Sequence, residues 1–332
     1  MHNNLLLLEL VLYCHMNKNL KLLFIVLALG YQSASAQLVT ESFGGTGANA
    51  FTMDFVTIGN PGNAADTTGT PNSAGSVAYI YNIAKYEVSR DQITKASSEG
   101  NLGIILQDMS SYGGNGVNRP ATGVTWYESA TYVNWLNIST GGTAAYKFVG
   151  GTFQLWAPTD AGYNANNMFR NSLAKYVIAS SNEWYKGAYG KGDGSWSNFP
   201  NGTDSAPTAV ASGTAANTAV YNQSIPTGPA DINNAGGLSA YGTMGQAGNV
   251  WEWMETAYDG TNDTASEGRE LRGGRYSTAS GTLAASHRES WTPGFQYYDM
   301  GFRVASVPEP SALSLLAIGL GGLALVRRRK QG

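Results

Sequence analysis

Glycine is the feature that most narrows what this chain can fold into. It fills 42 of 332 positions, while Lys, Arg, Asp and Glu together supply only 13% of the residues. A glycine inside a helix costs about 1 kcal/mol relative to alanine. So few charges also leave little material for the i,i+4 pairs that support helix surfaces. The composition excludes a helical bundle and suits short strands joined by long, ordered loops.

The periodic segments agree. Asp54 to Ile58 reads as a strand closed by a turn at Asn60-Pro61-Gly62, which supplies one fixed and one permissive backbone. Val77 to Val88 sets Tyr79, Tyr81, Ile83 and Tyr86 among small residues, as a half-buried strand would. Thr125 to Leu136 places Trp126, Ala130 and Val133 on a helical face, with a capping box from Thr125 and Glu128. A second helix is expected around Ser181 to Lys186, and long surface loops from Gly190 to Gly237.

Both ends carry addresses. Lys18 and Lys21 precede an apolar stretch, Leu22 to Leu29, and Ala34-Ser35-Ala36 offers a cleavage site before Gln37. Residues 1–36 are therefore expected to be a signal peptide, with Met16 as its true start, and residues 37–53 a linker. At the other end, Val307-Pro308-Glu309-Pro310 is followed by an apolar run from Ser311 to Val326 and then by Arg327, Arg328, Arg329 and Lys330. The prolines block helix and leave an extended recognition element. The run is shorter than the roughly 20 residues of a comfortable span, and the basic cluster stays on the cytoplasmic side. This tail, residues 306–332, resembles the PEP-CTERM sorting signal of bacteria. The resemblance implies recognition by an exosortase-type membrane protease, an inner-membrane intermediate, and delivery to the cell surface or extracellular matrix.

Export changes how the rest is read. The sole cysteine, Cys14, precedes the cleavage site, so the exported part must stand on its core without disulfides. Residues 37–326 hold 14 Lys and Arg against 22 Asp and Glu, a net charge of about −8, which argues against nucleic acid as a partner.

Three motifs then follow in order: Gly248-Asn249-Val250-Trp251-Glu252-Trp253, Leu271-Arg272-Gly273-Gly274-Arg275-Tyr276, and Met300-Gly301-Phe302-Arg303-Val304. Together they resemble the formylglycine-generating-enzyme, or sulfatase-modifying-factor, family, whose signatures run G-N-V-W-E-W, R-G-G-S-W/Y and G-F-R-V. Lys85 to Ser89, Pro120 to Ala130 and Ile178 to Trp184 fit its earlier segments. The resemblance spans residues 54–305. It implies an α+β fold related to C-type lectins, low in regular secondary structure and long in its loops.

The resemblance also says where chemistry should lie. The family's copper-binding cysteines align at about Thr278 and Leu283, neither of which can supply a thiolate. The related iron enzymes use a histidine cluster, yet His287 is the only histidine after residue 15. Neither copper nor iron is expected. The family's calcium ligands carry over to Gly245, Gly248, Val250 and Glu252, with Gly245 lacking the usual side-chain oxygen, so calcium stays open. Glu252 and Glu255 are more naturally structural than an acid–base pair, and no nucleophile elbow or phosphate loop is present. Aromatic residues in polar loops supply the positive expectation. The stretch from Trp291 to Tyr298, with Trp291, Phe295, Tyr297 and Tyr298, replaces the enzymes' active-site region and suits either a sugar or peptide or the sealing of a small, loop-heavy core, and His287 and Arg288 are candidate binding residues beside it. Trp156 and Trp196 lie in similar loops, and Arg272, Arg288 and Arg303 suit internal loop-pinning. The expected function is non-catalytic binding, or structural service, toward extracellular polysaccharide or surface proteins. The competing expectation is an enzyme acting on exported substrates through an unrecognised site.

Overall fold

A computed structural model of the chain describes residues 37–307. The expected signal peptide, and the tail from Pro308 to Gly332 with its apolar run at 311–326, lie outside the described residues. Among the described residues, no helix is long and apolar enough to cross a membrane.

The first correction comes at the start. Residues 37–53 are not a linker: β1 (Leu38–Phe43) forms a hairpin with β2 (Phe51–Ile58), pairing Phe43 with Phe51. Gly44 makes the turn, because a Cβ there would lie 2.2 Å from the Asn49 carbonyl oxygen. Phe43 is buried, stacks on Phe51 at 5.6 Å and meets Tyr176 edge to face at 5.1 Å. The reason is hydrophobic: Phe43, Phe51 and Met53 alternate into the core while Thr40 and Thr52 face out.

The expected strand at 77–88 is shorter than its pattern. Only β3 (Tyr81–Ala84) pairs with β2, since Tyr79 and Ile80 lie exposed before it. Three helices follow the same logic of capping. α1 (Arg90–Gly100) was not expected, although Ser89 and Gln92 form a capping box. α2 (Trp126–Ser139) has the Thr125–Glu128 box, and it packs on β6 (Tyr176–Ile178) after the small hairpin β4 (Lys147–Val149) and β5 (Thr152–Gln154). α3 (Ser181–Tyr189) starts from the Ser180–Glu183 box.

Gly190 to Gly237 is largely irregular, with a two-residue parallel pair, β7 (Thr208–Ala209) and β8 (Thr218–Ala219). It is not simply surface. Val220, Ala230 and Ala235 join Met109, Met244, Tyr276 and Tyr298 in a satellite core, and Tyr221 packs with Leu283 in another. Its backbone also braces the segment after Arg272: Asn222 N–H donates to Thr278 O and Gln223 N–H to Tyr276 O.

The remaining strands are β9 (Trp251–Ala257), β10 (Arg269–Arg272), β11 (Glu289–Trp291), β12 (Met300–Phe302) and β13 (Val304–Ser306). One sheet runs β11-β10-β9-β12, with β9 and β12 parallel; the other runs β1-β2-β3-β13-β6. β9 is buried on both faces, so its carboxylates must be neutralised internally. Glu252 receives Arg303 Nε at 3.0 Å and Nη2 at 2.8 Å, and Trp184 Nε1 at 2.8 Å. Glu255 receives Arg170 Nε at 2.7 Å, Asn167 and the Tyr146 hydroxyl. Arg170 also forks onto Glu183 at 2.9 Å.

Two measurements test this account. If β1 is part of the core, Phe43→Ala should cost about 3–5 kcal/mol in urea unfolding; a linker residue would cost almost nothing. The second concerns acid. Burial alone would raise the Glu183 carboxyl, but Arg170 outweighs it and holds the group at about 2, against an ordinary value of 4.5. Its contribution is thus fully present above about pH 4.5 and is lost as pH falls toward about 2. Urea midpoints should decline through that window, and a flat profile would remove this pair from the energetics.

Candidate functional site

A cavity of about 500 Å³ opens beside the four-stranded sheet, within the roughly 300–1,000 Å³ usual for small-molecule sites. Trp251 and Met300 sit side by side as register partners at the starts of β9 and β12, and both line it. Glu289 and Trp291, on the exposed edge strand β11, form a second side with Phe295 and Tyr297. Arg275, Thr278 and Thr282 form a third. Gly274 lets that side close up, since a Cβ there would stand 2.6 Å from Thr282 Oγ1 at a φ of +75°.

The loop from Thr292 to Asp299 is held from behind. Trp126 N–H donates to Pro293 O, Gly123 N–H to Tyr297 O, and Trp251 N–H to Asp299 O. On that base the rings form a continuous ladder. Trp291 stacks on Phe295 at 4.3 Å, Phe295 lies 6.1 Å from Tyr297, Tyr297 lies 4.4 Å from Tyr298, and Tyr298 stacks on Tyr112 at 4.2 Å. Trp291 and Tyr297 remain 43% and 46% exposed, while Tyr298 is buried behind them.

Asp299 is buried at the cavity wall and paired with Arg275. Burial raises its carboxyl above the ordinary aspartate range, against the pull of Arg275. Asp299 Oδ1 and Arg275 Nε are both buried and have no hydrogen-bond partner among the described residues.

The structure thus brings Trp291, Phe295 and Tyr297 together, with Tyr298 supporting them. His287 sits at the margin, its ring 5.7 Å from that of Trp251 and its Nε2 3.2 Å from Glu289. Arg288 does not belong to the cavity: it donates to Tyr258 O and Glu270 and lies over the Tyr258 ring at 4.1 Å. Trp156 and Trp196 are also elsewhere, the first donating to Ala145 O and the second packed on Tyr185. The polar pair was missed by sequence reasoning. Only Arg275 carried a signal, because it occupies the serine position of R-G-G-S.

Metal fits poorly. Thr278 Oγ1 is engaged with Thr282 and the Arg275 carbonyl, and Leu283 is buried in a satellite core, so the aligned copper positions offer no soft donor. No group of three or more His, Cys, Asp or Glu side chains gathers among the described residues. At the carried-over calcium set, both Glu252 oxygens already receive Arg303, whose guanidinium also donates to Ala84 O and Met244 O. Gly245 gives no side-chain oxygen, and a Cβ on it would stand 2.9 Å from the Glu87 carboxyl. Burial, with Glu252 nearby, raises that carboxyl well above the ordinary glutamate range. The thermal midpoint should therefore be the same in excess calcium and in chelator; a calcium-dependent rise of several degrees would overturn this reading of Glu252.

The model of the sulfatase-modifying factor enzyme 1-like domain matches residues 48–307, and that of the PEP-CTERM protein-sorting motif matches residues 306–330. No well-characterised protein matches the chain by sequence. Among solved structures, Treponema denticola variable protein 1 is similar at 20% identity and a TM-score of 0.56, covering 81% of this chain and 99% of its own. CarF is similar at 19% identity and 0.54, with 82% and 98% covered. PvdO from Pseudomonas aeruginosa is similar at 17% identity and 0.50, with 77% and 95% covered. At these identities the likeness shows the fold alone.

Proposed function

Because the chain belongs to the sulfatase-modifying factor enzyme 1-like family and carries a PEP-CTERM sorting motif, we propose that it is an exported matrix protein whose domain binds its ligand without catalysis. The sorting motif implies recognition by an exosortase, a membrane protein, and export with membrane-associated sorting to the cell surface. The finer reading is that the domain serves there by holding extracellular polysaccharide or a surface protein in the cavity beside β9 and β11. It needs no copper, iron or calcium.

The observation that carries this reading is the aromatic ladder. Exposed Trp291 and Tyr297 flank half-buried Phe295 on a loop pinned at three backbone points. Rigid rings offer a large contact area and lose little entropy on binding. The same cavity wall carries the Thr278 hydroxyl at one of the two positions where the resemblance places an oxidative enzyme's thiolates, and the other position is the buried Leu283.

The host's own exopolysaccharide should bind the purified protein saturably. Trp291→Ala with Tyr297→Ala should weaken that binding by tenfold or more, with the thermal midpoint preserved because both side chains are largely exposed. A bound redox metal near one per chain would instead favour an enzyme. Survival of the matrix phenotype after replacing the whole domain would show that binding is irrelevant.

A further inference from the structure

The binding reading leaves open what chemistry the cavity selects, and the unsatisfied pair at its wall answers that. Asp299 is 1% exposed, and its Oδ1 has no hydrogen-bond partner among the described residues. Arg275 pairs with the other carboxylate oxygen through Nη1, and its Nε–H is likewise unmatched. A buried polar atom left without a partner costs about 1–3 kcal/mol, so two in one ion pair mark a place where a ligand or water completes the bonding.

The two orphans are complementary: one accepts and one donates. A hydroxyl does both, and two adjacent hydroxyls can meet both atoms at once. The aromatic side of the cavity asks for the opposite property. Trp291, Phe295 and Tyr297 present flat apolar faces within reach of the same space. A pyranose ring joins these demands in one small body, with C–H groups on its face and hydroxyls around its edge. Charge narrows the choice further. Asp299 already neutralises Arg275, and the half-exposed Glu289 adds negative charge at the margin, so an acidic sugar meets repulsion.

We propose that this cavity binds a neutral hexopyranose unit, packed against the wall that carries Trp291 and Tyr297 and read through two neighbouring hydroxyls by Arg275 and Asp299. The proposal rests on the binding function inferred above and specifies its ligand class.

The test uses the full chain, purified in a detergent without a sugar headgroup. It is titrated with methyl glucopyranoside, mannopyranoside and galactopyranoside, with their monodeoxy derivatives, and with glucuronic acid. At least one neutral glycoside should bind. Removing either of two adjacent hydroxyls should weaken it by about tenfold or more, the loss expected when buried polar groups are left unpaired. Asp299→Asn should weaken the parent glycoside similarly and leave the weakened deoxy derivative almost unchanged. Should Asp299→Asn fail to fold, the deoxy series on the parent protein decides alone. Deoxy sugars that bind as well as their parent, or glucuronic acid that binds as tightly, would overturn the proposal. If no pyranoside binds while a surface protein binds in a Trp291-dependent manner, the sugar assignment falls and the binding function stands. If the host polysaccharide and surface proteins also fail to bind, both fall.

Discussion

Glu252 and Glu255 lie on one strand that is buried on both faces, and each requires a cation delivered from elsewhere in the chain. Arg303 reaches Glu252 from between β12 and β13 while also donating to Ala84 O at the end of β3, so one guanidinium joins the two sheets. Arg170 links Glu255 on β9 to Glu183 at the start of α3. Buried pairs of this kind add little net stability over apolar substitutes, because desolvation offsets attraction. Stranding one partner, however, costs about 3–5 kcal/mol. Their effect is selective: arrangements of the sheets that fail to bring arginine to glutamate are penalised. With no cysteine after Cys14, this selectivity does what cross-links do in many exported domains.

That internal frame also explains where ligand chemistry can reside. Within the signature motifs Glu252 and Arg303 are buried and paired with each other, and Arg272 is buried against Glu270 and the Thr70 carbonyl. What faces outward is the segment between the motifs. Edge strand β11 and the loop to Asp299 contribute rings, and the motifs contribute Trp251, Arg275 and Met300 to the cavity lining. Family likeness therefore fixes the scaffold and says little about the ligand, because the rings of Trp291, Phe295 and Tyr297 that line the cavity lie outside the three motifs.

Much of this organisation was legible in the sequence because it is locally encoded. The capping pair of Thr125 and Glu128 announces α2, and the same device at Ser89 and Gln92 would have announced α1. The order of the three signature motifs revealed the fold. Misreadings arose where long-range packing overrode local pattern. Phe43 sits in a glycine-rich stretch that looks like a linker until Tyr176, more than a hundred residues later, covers it. Arg288 resembles a ligand-binding arginine until Glu270 and Tyr258 claim it. Among the candidate cavity residues, aromatic loop composition identified Trp291, Phe295 and Tyr297. The pairing of Arg275 with Asp299 spans separate motifs, and no single-sequence signal states that two such residues meet.

The position of β13 has a consequence for how the protein is made. This strand lies inside the larger sheet, between β3 and β6, yet it is formed by residues 304–306. A chain that crosses a membrane from its N-terminus delivers β1, β2 and β3 long before the strand that joins β3 to β6, and before Arg303 arrives to neutralise Glu252. Until then the two halves have no shared sheet and a buried charge without its counterion, so partial folding gains little. The domain closes only when almost all of it has emerged, with the sorting motif already next to follow. A prematurely ended chain would lack both the strand that joins β3 to β6 and the sorting motif that follows it.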